Sequence, residues 1–269
     1  MGAGDWARDS DTTKPSTARM YDYYLGGSHN FAADRQAAEE VIAIMPHARE
    51  VARANRAFLN RAVRYMLDHG ITQFLDIGSG IPTAGNVHDI AAEYLPDVRV
   101  VYVDIDPIAV AHSVDLLRDN PNATAIRADL AYPEAILQHH GVRATLDLTQ
   151  PVGLLLVSML HFLPDEQAYP AVAQLRDALV AGSYLALSHV ATEATELATA
   201  QKIAGIYRRT GATAAVTRTR EQILAFFGNY EMTQPGLVWA NHWPSDDIEP
   251  DMPGERLAIL AGAAQKPAQ

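Results

Sequence analysis

Residues 73–80 read Gln73-Phe74-Leu75-Asp76-Ile77-Gly78-Ser79-Gly80. A short apolar run ends in a Gly-x-Gly turn, and a helical pattern follows at residues 85–95, with Val87, Ile90, Ala91 and Tyr94 on one face. Strand, tight turn, helix is the opening unit of a parallel sheet with crossover helices. The same texture continues downstream. Strands are expected at 98–103, 123–127, 151–158 and 183–190, and helices at 107–118, 132–140 and 165–180. Strands that are nearly all apolar must be covered on both faces. The expected fold is therefore α/β, a doubly wound, mostly parallel sheet. At the carboxyl end, 192–209 and 220–227 read as helices. Residues 236–242 and 255–262 read as two strands joined by a Pro/Asp-rich loop, an antiparallel edge for the sheet.

Upstream of the Gly-rich turn the pattern is helical. One helix is expected over 32–44 and a longer one over 48–69, which Gly70 stops. The long helix carries Val51, Phe58, Leu59, Ala62, Val63, Met66 and Leu67 at helical spacing. Its other face holds Arg49, Arg53, Arg56, Arg61 and Arg64, which reads as a solvated face. Residues 18–30 (ARMYDYYLGGSHN) bring three tyrosines and an arginine to a Gly26-Gly27 break. The division expected is a disordered tail at 1–15, an N-terminal helical annex at 16–70 and the α/β domain at 71–269.

Composition sets outer limits. The 269 residues hold 21 Lys plus Arg against 32 Asp plus Glu, a net charge of −11, and no cysteine. Such an acidic chain lacks the basic face that duplex nucleic acid requires. Without cysteine there is no disulfide frame, thiolate-bound zinc, iron–sulfur cluster or thiol nucleophile. No His-Glu-x-x-His or similar spacing marks a metal site. The longest apolar run, 152–160, falls well short of the roughly 20 residues of a membrane span. The polar N-terminus lacks a signal-peptide core, so a cytoplasmic protein is expected.

The turn itself excludes common ligands. The third glycine of a dinucleotide fingerprint would fall at Thr83, and Pro82 removes an N–H donor. No Walker A lysine is present. Asp76 would repel a phosphate and suits a ligand with an ammonium group. Asp104 ends the next strand, 24 residues after Gly80, where an acid can accept both hydroxyls of a ribose. Asp129 follows the third strand, where a carboxylate can accept from an adenine amino group. Three acids at three successive strand ends describe a nucleoside with a cationic tail. S-adenosylmethionine (SAM) has that chemistry.

The pieces LDIGSG, VVYVDIDP, IRADL, VGLLLVSMLHFL and SYLALSHV resemble class I SAM-dependent methyltransferases over about residues 72–190. The family's third glycine is replaced by Pro82. PSTARMYDYYLGGSHNFAADR, ARANRAFLNRAVRYM and GSGIPTAGNVHDIA extend the likeness over nearly the whole chain. That pattern resembles the actinobacterial SAM-methyltransferase-like family once labelled a domain of unknown function. The resemblance implies a Rossmann-like fold, SAM as cofactor and methyl transfer to a small-molecule acceptor. It implies that Gly78, Ser79 and Gly80 line the methionine end and that Asp76 holds the amino group. Asp104 takes the ribose, Ile105 packs on the adenine, and Asp129 and Leu130 meet its amino group and ring. Asp106 is expected to cap the helix that begins at Pro107. Ser158 to His161 follow the fourth strand, facing the sulfonium and the acceptor, and His161 is the first candidate for a general base. His189 is a second. Arg19, Tyr21, Tyr23, Tyr24 and Asn30 are expected in a lid over the cofactor, with Tyr23 at the ligand, and Asn86 is expected to point into the pocket. Two competing functions are a non-catalytic SAM or adenosylhomocysteine binder and, less consistent with Thr83 and Asp76, a nucleotide-dependent oxidoreductase.

Overall fold

The computed structural model describes residues 11–81, 85–194, 196–244 and 253–268. The expectations for the tail before residue 11, for Pro82 and Thr83, and for most of the Pro/Asp-rich loop lie outside the described residues. Three helices open the chain, α1 (Thr17–Tyr24), α2 (Ala32–Ile44) and α3 (Ala48–Asp68). Then come β1 (Gln73–Ile77), α4 (Val87–Ala92), β2 (Arg99–Asp104), α5 (Pro107–Leu116), β3 (Ala123–Arg127), α6 (Pro133–Gln138) and α7 (His140–Thr145). The second half holds β4 (Gly153–Val157), α8 (Asp165–Ala178), β5 (Tyr184–Val190), α9 (Leu197–Tyr207), α10 (Arg220–Leu224), β6 (Glu231–Met232), β7 (Val238–Trp239), α11 (Gly254–Leu257) and β8 (Ile259–Gln265).

The eight strands form one sheet in the order β3-β2-β1-β4-β5-β8-β6, with β7 also on β8. The first five are parallel, and β8 runs antiparallel against β5. The doubly wound, mostly parallel sheet with an antiparallel edge is therefore present. Two expectations at the edge need correction. Residues 236–242 contain only a two-residue strand before a 3-10 turn at Ala240–His242. Residues 255–257 are helical, and the strand starts after Ala258, whose φ of +54° ends the helix. Pairing of Val238 with Ala261 and Trp239 with Leu260 keeps the antiparallel contact.

Side-chain alternation along the strands separates two cores. Leu75, Ile77, Val101, Val103, Leu154 and Leu156 face α6 and α8. Phe74, Val100, Tyr102 and Leu155 face α3 and α4, meeting Phe58, Ala62, Val63 and Met66. Asp76 and Asp104 fall on the same sheet face as Phe74 and Tyr102 and so lie under α3. A third core joins the N-terminal helices to α9 through Met20, Tyr24, Ala37, Val41, Ala52 and Ile206.

Residues 18–30 contain a helix that the sequence pattern did not signal. Asp34 holds it in place. Buried, it pairs with Arg19 at 3.0 Å and accepts from the backbone N–H of Ser16 and of Phe31, both at 2.8 Å. Arg19 also donates to the Lys14 carbonyl at 2.6 Å. Ser16 bonds Asp106 at the start of α5, and Ala18 packs between Ile81 and Ala109. The N-terminal helices are thus fastened across the carboxyl ends of β1 and β2. Among the described residues no helix is long and apolar enough to cross a membrane, and no cluster of candidate metal ligands occurs.

Candidate functional site

A cavity of about 570 Å³ opens above the carboxyl ends of β1 to β5, at the switch point between β1 and β4 where the chain reverses its direction of growth. Gly78 (φ +73°) and Gly80 (φ +67°) turn the chain out of β1. At Gly78 a Cβ would also meet Met159 Cβ at 2.6 Å, so the β1 and β4 loops approach only because that position is glycine. At Gly80 a Cβ would meet nothing within 4 Å.

Asp104 is clamped at this turn. One carboxylate oxygen accepts the Gly80 N–H at 2.7 Å and the other accepts the Asp106 N–H at 2.8 Å. Each oxygen keeps a lone pair for a ligand hydroxyl. Burial raises its pKa to about 6, against the lowering effect of those two bonds. Asp106 caps α5, accepting from Ile108 N–H at 2.7 Å and Ala109 N–H at 3.2 Å, as its place before Pro107 predicted. Ile105 is 57% exposed at the cavity wall, an apolar platform over the β2 end. Asp129 and buried Leu130 also reach the wall, and Asp129 accepts the Ala131 N–H at 2.9 Å.

Asp76 is buried at the cavity wall, and no donor among the described residues reaches it. Burial pushes its pKa up to about 7; Arg56 opposes this, and Asp104 adds to it. Sequence reading placed two arginines of this helix wrongly, Arg56 and Arg61, and Arg61 turns inward to donate to the Ala240 carbonyl at 2.6 Å. Arg49, Arg53 and Arg64 do lie toward solvent, with Arg49 on Glu39 and Arg64 on Glu93. Arg56 instead lines the cavity, and its buried Nε has no hydrogen-bond partner. Nothing in its spacing sets it apart from the surface arginines of the same helix.

The loop after β4 carries Ser158, Met159 and His161 into the wall. Ser158 adopts φ +58°, rare for a residue with a side chain. His161 is at the expected place, but it is a weak base. Burial first, then the charge of Arg218, lower its pKa to about 3, and its Nδ1 has no partner. His189 is fully buried and also lowered by burial. Its Nε2 lies 2.6 Å from Arg218 Nη1 and its Nδ1 2.8 Å from the Val190 carbonyl. Arginine can only donate, so Nε2 accepts and Nδ1 carries the hydrogen. His189 is a bracing residue, not a base.

Arg218 was not foreseen. Within TAAVTRTR it carries no motif, yet only 1% of it is exposed. Its five N–H groups go to Asp165, to the Leu160 and Leu163 carbonyls at 2.9 Å each, and to His189. It ties the loop after β4 to the end of β5.

Two expected ligand residues do not reach the cavity. Tyr23 turns outward, its hydroxyl 2.5 Å from Glu39 and its ring under Arg49. Residues 17–24 are helical, at about 100° per residue, so Tyr21 and Tyr24 share the inner face and Tyr23 does not. Asn86 is buried at the start of α4, where its N–H and Nδ2 face Asp89 at 3.2 and 3.3 Å. Asn30 closes its own loop on Asp22 and Gly27. Tyr21 joins a buried chain instead: Ser188 donates to Asn55 at 2.5 Å, Asn55 to Tyr21 at 2.9 Å, and Tyr21 to the Ala52 carbonyl at 3.0 Å.

The sequence profile of the S-adenosyl methyltransferase family matches residues 4–267. The chain belongs to that family. Its architecture is shared by a candidate methyltransferase from Thermobifida fusca, 41% identical over 96% of this chain and 97% of that one, with a TM-score of 0.89. A DUF574 family protein from Streptomyces avermitilis is 37% identical over 96% of this chain and 99% of its own, with a TM-score of 0.90. No curated protein matches. The fold is accordingly that of a Rossmann-like SAM methyltransferase, and the resemblance read from LDIGSG and the N-terminal motifs holds.

Proposed function

We propose that this protein binds SAM in the cradle over β1 to β3 and transfers its methyl group to a small-molecule acceptor bound over β4 and β5. The observation that carries the reading is the pair of buried carboxylates, Asp76 and Asp104. Asp104 is held in fixed orientation with lone pairs to spare, and Asp76 has no donor among the described residues. A buried carboxylate without a partner is costly, and a ligand cation removes the cost. Asp76 and Arg56 present one negative and one positive group to the same cavity, which fits the two ends of an α-amino acid. Asp104 would take the ribose hydroxyls, Ile105 and Leu130 the faces of the adenine, and Asp129 its amino group.

When bound, SAM would supply a methyl group activated by its sulfonium, for transfer to the acceptor's lone pair with the carbon–sulfur electron pair kept by sulfur. The chain's residues do the rest. The Gly78 turn and the loop held by Arg218 fix the distance between cradle and acceptor chamber. The N-terminal helices, clasped by Ser16 and Asp106, exclude water above it. His161 stays neutral and would accept a hydrogen bond from the acceptor's O–H or N–H, orienting it; the acceptor's proton would be lost to solvent once the new bond to carbon makes that atom cationic. The weak basicity of His161 also favours one alternative, a binder of SAM or adenosylhomocysteine that does not turn over.

Both SAM and S-adenosylhomocysteine should raise the melting temperature in proportion to the logarithm of their concentration. Asp104→Ala should abolish the shift, and nicotinamide dinucleotides should produce none. An unshifted wild-type protein, or an Asp104→Ala protein shifted as fully as wild type, refutes the reading. Methylated product in an extract of small metabolites then separates the enzyme from the binder.

A further inference from the structure

The cavity is divided by charge. All four acidic side chains on its strand-end walls, Asp76, Asp104, Asp106 and Asp129, lie over β1, β2 and β3. Beyond the switch point the wall comes from the loop after β4, the end of β5, α2, α9 and the start of β8. Among the described residues of those elements, none that lines the cavity is charged; α1 and α3 also border the cavity and bring Arg19 and Arg56 to it. Met45, Ile203, Tyr24, Phe162, Tyr207 and His161 make much of it.

The charges nearby are spent elsewhere. Arg218 donates all five N–H groups behind the wall. Arg209, in the turn after α9, pairs with Glu40 at 2.6 Å, and Arg49 pairs with Glu39. The charge of Arg56 acts on Asp76 and on Tyr21, and Arg19 pairs with buried Asp34. His161 is uncharged at neutral pH, and burial keeps Tyr24 and Tyr207 protonated.

Three aromatic side chains, Tyr24, Phe162 and Tyr207, meet on this wall. Tyr24 and Tyr207 touch hydroxyl to hydroxyl at 3.3 Å, and the rings of Phe162 and Tyr207 lie 5.3 Å apart at 58°. One hydroxyl hydrogen is used between the two tyrosines, which leaves the other to donate. Among the described residues of these elements a cation would find no carboxylate, and an anion would feel only Arg218, already bonded to Asp165 behind the wall, so either would carry much of its desolvation cost. Rings packed against rings gain area and favourable edge-to-face contact.

We propose that the acceptor is an uncharged aromatic molecule with a hydroxyl or carbonyl oxygen, held against the wall of Tyr24, Phe162 and Tyr207. The proposal rests on the SAM reading for which end of the cavity receives the methyl, but its charge rule stands on the chamber alone.

Three probes with one ring system test it: 2-naphthol (neutral), 2-naphthoate (anionic) and 2-naphthylmethylammonium (cationic). Each is titrated by calorimetry into the full chain, free and saturated with S-adenosylhomocysteine. The expected result is that naphthol binds and both ions bind at least about tenfold more weakly. Ile203→Glu and, independently, Met45→Glu should weaken naphthol by about tenfold or more while S-adenosylhomocysteine affinity stays within about twofold, which also reports intact folding. An ion bound as tightly as naphthol, no naphthol binding, or naphthol binding untouched by both variants overturns the proposal. Failure of S-adenosylhomocysteine to bind would instead overturn the cofactor reading, and the charge order on the free chain would still decide the chamber.

Discussion

Cofactor affinity should depend on pH through Asp76. In the free protein burial raises this carboxyl from 3.8 to about 7. Only its ionised form attracts the ammonium of the ligand. At about pH 6 roughly one molecule in eleven carries the ionised form, and at about pH 7.5 roughly three in four. S-adenosylhomocysteine should therefore bind about eightfold more tightly at the higher pH, a gain of about 1.2 kcal/mol, and binding should release a proton. The sign follows from the direction of the shift. A carboxyl raised by folding costs stability progressively as pH climbs past 3.8, and the cost is complete above about 7. A ligand cation offsets it, so ligand affinity grows over the same window. Calorimetry at the two pH values, in buffers of different ionisation enthalpy, reads both affinity and proton release. Asp76→Asn keeps the shape and removes the titration, so its affinity should be weak and its pH slope shallow. Asp104, raised to about 6, titrates at the low end of the window, and the slope left in Asp76→Asn measures its share. A flat wild-type profile, or an Asp76→Asn slope equal to that of wild type, would refute the reasoning.

Three further outcomes are expected. Gly78→Ala places a Cβ against Met159 at a residue with φ +73° and should cost about 2–4 kcal/mol in denaturant unfolding, with loss of cofactor binding; a stability change under about 0.5 kcal/mol would contradict the close approach. Arg218→Met strips the Leu160 and Leu163 carbonyls and His189 Nε2 of their donors and should lower stability by about 3–5 kcal/mol; a near-neutral result in the same unfolding assay would mean that the loop after β4 is held by other contacts. His161→Ala should slow turnover while the pH–rate profile keeps its shape between about pH 6 and 8, because a group near 3 does not titrate there; an acid limb near pH 6.5 that disappears in the variant would restore His161 as a general base.

What the sequence makes legible is local. Phe74 to Gly80 carries its own strand, turn and acid, and the all-apolar texture of residues 153–157 and 184–187 suffices for buried parallel strands. Asp106 before Pro107 announces a cap. The rest depends on contacts between distant segments. Tyr23 and Tyr24 differ only in the helical phase of α1, and that helix exists because Asp34, fifteen residues after Arg19, ties it down. Arg56 shares a period with surface arginines and parts from them only because the N-terminal half of α3 passes over the cavity, not over solvent. Arg218 belongs to no pattern; its role comes from carbonyls 55 and 58 residues away. His161 lines the cavity from the loop after β4. Its chemistry depends on burial and on Arg218, which no spacing reveals. Residues 255–257, read as strand, are too short and too polar for periodicity to decide, and the φ of Ala258 sets where β8 begins.

A crystal structure with S-adenosylhomocysteine bound would put the account to its hardest trial. Both ribose hydroxyls should lie within hydrogen-bonding distance of Asp104, with the ammonium facing Asp76 and the thioether sulfur directed toward Ser158 and the aromatic wall. Adenosine lying over β4 and β5, or an Asp104 carboxylate that makes no contact with the ligand, would contradict it.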